Sequence, residues 1–362
     1  MATLHEMLAV GGSIEGAEKV ARQFVEERGP AYLLDLQLLL AIQGRFDEAL
    51  QINDQALENN PNDVRAKFDR GWYHMREGNL LQGFKMLNEG RWVELWGNRH
   101  IGTPKPVWQG QDGHVLFYTE AGFGDEIVFI RFVKNLKIDK LTVACSEGMM
   151  PLFARIPEVK SVVRHEAVLA TYHDYWIPSM GVPVILNAGY KDIKGDPYLM
   201  PNEKLVAKYA EVLRSDKLKV GIRWRGNPKF EHEQFRIFPE DLLFDAVEHP
   251  HVQAYSLQRD LDYRPPRFII DMEEFLTAWD DTAAIMMNMD LIVTSCTAIG
   301  HLGGALGIPT WIVPPILPYW VWAKPGNKSP WYKSVKLFRQ EKFGSWKEPF
   351  AKIKKNLRRM GR

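Results

Sequence analysis

The chain has 362 residues, 46% of them hydrophobic and 25% charged, with a formal net charge of +1. This composition is ordinary for a globular protein, and the length predicts two or three units with separate cores. The near-zero net charge argues against a large polyanion-binding face, and two cysteines without metal-ligand spacing argue against a disulfide framework or a zinc site. The chain shows neither a signal peptide nor an apolar run long enough to span a bilayer, so we expect a cytoplasmic protein.

The first hundred residues predict paired helices. Small residues recur with a spacing of 34 residues, because Gly44, Ala49 and Ala56 are followed by Gly78, Gly83 and Gly90. This period is typical of tetratricopeptide repeats, in which small residues let paired helices approach each other closely. We therefore predict an all-α repeat domain over residues 1–97. It would serve either as a helical cap on the neighbouring domain or as a surface for a protein partner.

Strands alternate with helices after a Gly- and Pro-rich linker at 97–113. The first series of predicted strands lies at 115–119, 141–145, 160–163 and 174–177, and the second lies at 219–224, 253–258, 291–294, 310–313 and 335–338. This alternation predicts parallel sheets with right-handed crossovers. We assign the two α/β halves to residues 98–205 and 206–340, and a basic C-terminal helix to 341–362.

A buried strand of the first half breaks at two glycines and an aspartate before a helix begins. Gly122 and Gly124 would bring the backbone close to a ligand, although the third glycine of a dinucleotide fingerprint is missing. Asp125 is the candidate general base that takes a proton from an acceptor hydroxyl, and Glu120 is a second candidate in the same loop. Helix capping is the alternative role for Asp125.

A second strand, loop and helix start follows about 170 residues later. Ser295, Cys296, Thr297 and Ala298 form a loop of small residues ahead of a helix, whose first turn offers free N–H groups and a positive dipole end. A diphosphate would fit there, held by the Thr297 hydroxyl and the backbone at Ala298. His301 lies one turn further on, either as a ligand contact or as a packed, hydrogen-bonded histidine.

Cationic residues follow the first strand of the second half. Arg225, Lys229 and Arg236 suit a departing diphosphate, because fixed positive charge stabilises developing negative charge. The alternative is a set of salt bridges with Glu231 and Glu233 in an exposed loop. Gln258 ends another strand, where it would contact a base or a ribose.

Several motifs together resemble a known family. They are Glu-x-Gly-x-Gly-Asp-x-Ile at 120–127, Val-Gly-Ile-x-Trp-x-Gly-Asn-Pro at 220–228, Asp-Thr-Ala-Ala at 281–284, Thr-Ala-x-x-His-Leu at 297–302 and Ser-Pro-Trp-Tyr-x-Ser at 329–334. With the repeats, this set resembles the bacterial and phage tetratricopeptide glycosyltransferase-like proteins. Their second part is similar to the heptosyltransferase and O-linked N-acetylglucosamine transferase group.

The resemblance implies a GT-B fold, in which two Rossmann-like domains face each other. It also implies inverting, metal-independent transfer of a sugar from a nucleotide-sugar to an acceptor hydroxyl, with no cofactor other than this substrate. Matched positions give Asp125 the base role, Thr297, Ala298 and His301 the donor-phosphate role, and Arg236 the charge-stabilising role. The acceptor remains open among protein, glycan, lipid and nucleic acid.

Three positions depart from the family pattern. Cys296 stands where relatives often carry Asp, Arg225 stands where a small residue is usual, and Tyr319 replaces another Asp. These departures leave two alternatives to a transferase. One is a non-catalytic repeat adaptor with a degenerate nucleotide-binding half, and the other is a sugar-nucleotide 2-epimerase, which is disfavoured because its carboxylate and histidine cluster is absent from the sequence.

Overall fold

The computed structural model describes residues 8, 11–90, 101–227, 233–259 and 263–360. The chain divides into two compact units. A helical unit comprises residues 1–99, 315–325 and 340–345, and an α/β unit comprises residues 100–314, 326–339 and 346–362. No described helix combines the length and apolarity needed to cross a bilayer.

Five helices build the described part of the helical unit: α1 Ile14–Arg28, α2 Leu33–Ile42, α3 Phe46–Asn59, α4 Val64–Glu77 and α5 Leu80–Gly90. Small residues stand where these helices cross, as the sequence predicts. A Cβ atom on Gly83 would lie 2.7 Å from the carbonyl oxygen of Gly71, so only glycine permits this spacing of α4 and α5. The all-α character is confirmed, and the assignment to tetratricopeptide repeats stays a prediction.

The helical unit also contains a segment from much later in the chain, residues 315–325. The indole of Trp72 donates a hydrogen bond to the carbonyl of Pro318 at 3.0 Å, and the rings of Phe84 and Trp320 meet at 5.2 Å. Both Phe84 and Trp320 are buried. The sequence assigns this segment to the half at 206–340, whereas its aromatic residues find their apolar partners among the helices.

In the part of the chain that the structure describes, four strands form the first sheet of the α/β unit: β1 His114–Tyr118, β2 Lys140–Cys145, β3 Ser161–Arg164 and β4 Tyr175–Pro178. They are parallel, in the order β3-β2-β1-β4. The central strand β1 is buried on both faces at Leu116 and Phe117, as expected of a parallel sheet covered by helices. The helices of this lobe are α6 Phe123–Ile130, α7 Val133–Leu136, α8 Met150–Phe153 and α9 Val182–Ile185.

Among the described residues, six strands form the second sheet: β5 Leu218–Arg223, β6 Val252–Ser256, β7 Ile269–Asp271, β8 Leu291–Ser295, β9 Thr310–Val313 and β10 Val335–Leu337. They are also parallel, in the order β10-β9-β8-β5-β6-β7. The helices that follow the first lobe are α10 Glu203–Val212, α11 Glu233–Arg236, α12 Glu240–Val247, α13 Trp279–Met287, α14 Ala298–Leu306 and α15 Lys347–Met360. The predicted strands are confirmed to within two residues, and the C-terminal helix α15 packs on α12 through Phe350, Ile353 and Leu357.

Each sheet has one place where the strand order reverses direction. It lies between β1 and β4 in the first sheet and between β5 and β8 in the second. In open α/β sheets, ligands bind in the crevice outside the carboxyl ends of the strands at such a switch point. The loop after β1 and the loop after β8, which the sequence singles out, therefore both lie at switch points.

Candidate functional site

Two carboxylates hold neighbouring loops in place, Glu120 in the loop after β1 and Glu126 in the first turn of α6. The carboxylate of Glu120 accepts the N–H of Met180 at 2.9 Å, which ties the loop after β1 to the loop after β4. Glu126 is completely buried and accepts both the N–H of Ser146, at 3.1 Å, and the Ser146 hydroxyl. This second bond ties the loop to the end of β2. Both carboxylates therefore act on the scaffold of the loop.

Asp125 differs from Glu120 and Glu126 in its bonding, and from the buried Glu126 in exposure. Its Oδ2 accepts the N–H of Gly122 at 3.2 Å, so it caps its own helix, and its side chain remains part exposed. Ala121, just before Gly122, has a φ of 62°, a left-handed conformation that disfavours any residue with a Cβ. Such strain persists where surrounding structure enforces it, as at many functional loops. Between the two candidate bases, the geometry favours Asp125 over Glu120.

The loop after β8 is buried and without charge. The side chains of Ser295, Cys296 and Thr297 are only 2%, 5% and 9% exposed. The hydroxyl of Thr297 contacts the hydroxyl of Thr294 at 3.1 Å and makes no capping hydrogen bond to α14. Ala298, in contrast, is part exposed. The side chains of Ser295, Cys296 and Thr297, which were predicted to contact a donor, are therefore packed inside the turn. The turn is part exposed at Ala298, where its backbone would contact a ligand.

The two loops meet directly. A Cβ atom on Gly124 would lie 3.1 Å from Cδ2 of His301 and 3.7 Å from Cα of Ala298, so the first turn of α6 packs against the first turn of α14. The glycine is required for this approach rather than for an unusual φ. Asp125 follows Gly124 in the chain, so the structure brings the candidate base next to the predicted anion site.

His301 is a buried, neutral histidine. Its Nδ1 lies 3.2 Å from the hydroxyl of Tyr332. Burial, and then the charge of Arg131, lower the pKa of His301 to about 3. His301 is therefore a packed, hydrogen-bonded histidine on its Nδ1 side, which was one of the two alternatives. Its other edge, with Cδ2 and Nε2, faces Gly124.

The predicted cations divide into two groups. Arg236 donates from Nη1 to the carbonyl of Cys296 at 3.0 Å, which places its guanidinium at the turn before α14. Arg225 instead pairs with Glu240 at 3.2 Å, so the salt-bridge alternative holds for it, with a different partner from the glutamates predicted. Lys229 lies outside the described residues, as do Pro228 to His232.

Gln258 supports the loop after β5. Its Oε1 accepts the N–H groups of Trp224, at 3.3 Å, and Arg225, at 3.0 Å, and its side chain is 3% exposed. An amide that is committed to two backbone donors orders the loop. The predicted contact of its amide oxygen with a base or ribose would compete with these bonds.

Sequence reasoning missed the contacts that join the two lobes. The ring of Phe123 lies 5.1 Å from that of Trp279, and Arg155 forms a bidentate ion pair with Asp280, in which Nη1 and Oδ2 are 3.2 Å apart. Arg131 reaches from α6 to the carbonyl of Trp331 at 2.7 Å. The local sequence signal for these contacts is Phe123, a large apolar residue between two glycines. Its side chain remains 43% exposed in the structure.

Comparisons with known proteins find distant similarities. No family model matches the chain. Protein FlbA of Caulobacter vibrioides is 27% identical in an alignment of length 359 that covers 87% of this chain and 59% of FlbA. The chain thus spans about three-fifths of the length of this curated relative.

Among solved structures, the chain resembles a glycosyl transferase family 9 protein from Veillonella parvula with a TM-score of 0.47 and 8% identity, covering 65% of this chain and 88% of that one. It resembles the E. coli ADP-heptose LPS heptosyltransferase II with a TM-score of 0.46 and 12% identity, covering 69% and 100%. The dodecameric heptosyltransferase TibC in complex with ADP-D-β-D-heptose gives a TM-score of 0.44 at 12% identity, covering 71% and 78%. At these scores, the assignment of a site depends on the geometry of this chain itself.

Proposed function

We propose that the chain is a glycosyltransferase of the GT-B type, which transfers a sugar from a nucleotide-sugar to an acceptor hydroxyl with inversion and without a metal. One observation carries this proposal. The loops at the two switch points, one presenting a carboxylate and the other a helix N-terminus, pack against each other at Gly124 and His301. A candidate general base and a candidate anion-binding site are therefore neighbours.

The second lobe supplies the means to hold a diphosphate. The first turn of α14 offers backbone N–H groups at the positive end of a helix dipole, and the guanidinium of Arg236 lies at the carbonyl of Cys296, two residues before Ala298. Both groups are fixed before the reaction, so they stabilise the charge that develops on a leaving nucleoside diphosphate. Protein groups would neutralise this charge without a metal ion.

The first lobe supplies the base. Asp125 is part exposed and accepts a hydrogen bond at the start of its own helix, whereas Glu120 and Glu126 bind neighbouring loops through Met180 and Ser146. In the proposed reaction, Asp125 takes the proton from the acceptor hydroxyl as its oxygen attacks the anomeric carbon. The bond from that carbon to the diphosphate breaks on the opposite side, so the configuration inverts.

The test is turnover of a panel of nucleotide-sugars, including ADP-heptose, which is the ligand named for one of the similar structures. Asp125→Asn should reduce transfer by at least about a hundredfold, because a general base contributes roughly 10²–10⁴ in rate. Asp192→Asn is the matched control, since Asp192 accepts the N–H of Gly189 at 2.8 Å in the same four-residue cap but in an exposed turn away from both switch points.

Two results would contradict the proposal. If Asp125→Asn retained full turnover, Asp125 would have no role in the chemistry. If the wild-type chain bound a nucleotide-sugar without consuming it in the presence of glycan, lipid, protein and nucleic-acid acceptors, the non-catalytic adaptor would be the better assignment.

A further inference from the structure

Arg131 is a buried cation without a carboxylate partner among the described residues. Its side chain follows α6 and is 6% exposed. It donates from Nε to the carbonyl of Val128 at 3.0 Å and from Nη1 to the carbonyl of Trp331 at 2.7 Å. The guanidinium also lies 4.5 Å from the centre of the Tyr332 ring. Carbonyl groups and aromatic faces offset part of the large desolvation penalty of such a cation.

The direction of the hydrogen bonds around Arg131 follows from the chemistry of its groups. A guanidinium donates only, so each oxygen that it touches must accept. Tyr198 donates its own hydrogen to the carbonyl of Ile127 at 2.7 Å, and its oxygen accepts Nη2 of Arg131 at 3.2 Å. The positive guanidinium also lies 4.5 Å from the centre of the Tyr332 ring, and this charge favours a Tyr332 hydroxyl hydrogen that points away from it.

The Tyr332 hydroxyl has one hydrogen to donate. Burial raises the pKa of Tyr332 well above its usual value, so the hydroxyl keeps this hydrogen. Its oxygen lies 3.2 Å from Nδ1 of His301 and 3.4 Å from the Tyr198 oxygen. The imidazole nitrogen is the closer and more basic acceptor, so Tyr332 donates to Nδ1.

A neutral imidazole that accepts at Nδ1 carries its proton on Nε2. This edge of the His301 ring faces the glycine loop, because a Cβ atom on Gly124 would lie 3.8 Å from Nε2. A side chain at position 124 would press on this edge of the ring, and glycine lets α6 approach the 3% exposed His301 closely. The Nε2–H group thus points toward the junction of α6 and α14.

We propose that Arg131 is a positioning residue that makes His301 a hydrogen-bond donor at the candidate site. The Arg131 charge beside Tyr332 orients the Tyr332 hydroxyl, and this hydroxyl donates to Nδ1 of His301, so Nε2–H is directed at the anionic diphosphate of the donor. The identity of that ligand rests on the proposed function, whereas the tautomer of His301 does not.

The first test is the tautomer itself, measured by long-range proton–nitrogen NMR correlation on the full chain without ligand. His301→Gln identifies the signals of this residue among the ten histidines. We expect the wild type to show a protonated Nε2 and a bare Nδ1. A protonated Nδ1 in the wild type would overturn the proposal, whatever the variants do.

Tyr332→Phe removes the donor and keeps the ring, so we expect the His301 signals to show a substantial Nδ1–H population. Tyr198→Phe is the matched control, because Tyr198 accepts from the same guanidinium but is not bonded to His301. We expect the wild-type tautomer in this variant. An unchanged tautomer in a folded Tyr332→Phe chain would also overturn the proposal.

The second test uses calorimetric titration with the diphosphates of adenosine, uridine, guanosine and thymidine. For the one that binds the wild type, we expect Tyr332→Phe and Arg131→Met to raise Kd about tenfold, and Tyr198→Phe to leave it unchanged. Equal affinity of the wild type and Tyr332→Phe would remove the positioning role. If no diphosphate bound the wild type while the tautomer was as expected, the proposed function would fail and the hydrogen-bond assignment would stand.

Discussion

The segment after β1, which comprises its loop and the first turn of α6 (119–126), carries three carboxylates and is part exposed, whereas the segment after β8 (296–301) carries none and is almost completely buried. Both occupy the switch point of a parallel sheet and both lead into a helix. The difference shows a division of roles. The first loop offers side-chain chemistry through Asp125, and the second offers backbone polarity at Ala298.

The two loops are also held in place differently. Glu120 and Glu126 bind the N–H groups of neighbouring loops, so two carboxylates, one part exposed and one buried, fix the first loop. Small side chains fix the second loop, with Thr294 and Thr297 joined through their hydroxyls. Replacement of a carboxylate should therefore disturb the first loop strongly. The second loop should respond mainly to changes in side-chain size and to the loss of backbone N–H donors.

The largest expected effect on stability comes from Glu126→Ala. This change leaves the N–H and the hydroxyl of Ser146 without the Glu126 acceptor, and removal of these charge-assisted bonds should lower the free energy of unfolding by about 3 kcal/mol. Urea denaturation measures the difference. Glu147→Ala is the control, because Glu147 is exposed at the same end of the first sheet. Equal stability of the two variants would show that buried charge does not fix the first loop.

A smaller effect concerns the pH dependence that His301 contributes. Its pKa is lowered to about 3 in the folded chain by burial and by Arg131, against 6.5 ordinarily. Below pH 6.5 the unfolded chain takes up a proton that the folded chain does not, so stability is lost as the pH falls toward 3. At pH 5, this loss amounts to about 2 kcal/mol.

Urea denaturation at pH 7, 6 and 5 checks this dependence in the wild type and in His301→Gln. The variant lacks the titrating group, so its stability should fall less between pH 7 and 5. If the free energy of unfolding depended on pH in the same way in both chains, His301 would titrate normally. The second loop would then be less buried than the geometry indicates.

The smallest of the three effects separates the two glycines of the first loop. A Cβ atom on Gly124 would press on the packed ring of His301 at 3.1 Å, whereas one on Gly122 would meet only Asp125, at 3.7 Å. Gly124→Ala should therefore lower the free energy of unfolding by about 1 kcal/mol through overpacking, and Gly122→Ala should change it little. Thermal unfolding of both variants distinguishes them. The opposite order would place the close approach at Gly122.

Much of the fold follows from the sequence, because hydrophobic alternation and glycine breaks are local signals. The buried strand before Gly122 and the one before Ser295 are both observed where they are predicted. The short β7 and the helix α12 were missed, since three residues in one and a polar first turn in the other give little periodic signal.

The site was predictable in its position and less so in its detail. Spacing placed Asp125 and Ala298 at loop ends, but burial of the Thr297 hydroxyl depends on a tertiary contact with Thr294. Arg131 carries no motif of its own, because its partners lie near residues 198 and 332. The packing of residues 315–325 in the helical unit is likewise a long-range contact that no local pattern indicates.

The helical unit keeps its own open question. The protein partner expected for its repeat face and the cytoplasmic location both remain predictions. A segment of the chain itself, with Pro318 bonded to Trp72 and Trp320 packed on Phe84, already occupies part of its surface. Any partner must therefore bind elsewhere on these helices or displace this segment.

The most direct test of a diphosphate site at the second loop is calorimetric titration of Ala298→Pro with the nucleoside diphosphate that the wild type binds. Proline at the first helical position deletes one N–H donor and keeps the helix, and Thr297 is already extended, with φ −133° and ψ 172°, as a residue before proline must be. Glu203→Pro makes the same change at the start of α10. We expect Ala298→Pro to raise Kd roughly tenfold to a hundredfold, the worth of one charge-assisted bond, and Glu203→Pro to leave it unchanged. Wild-type affinity in Ala298→Pro would contradict the account.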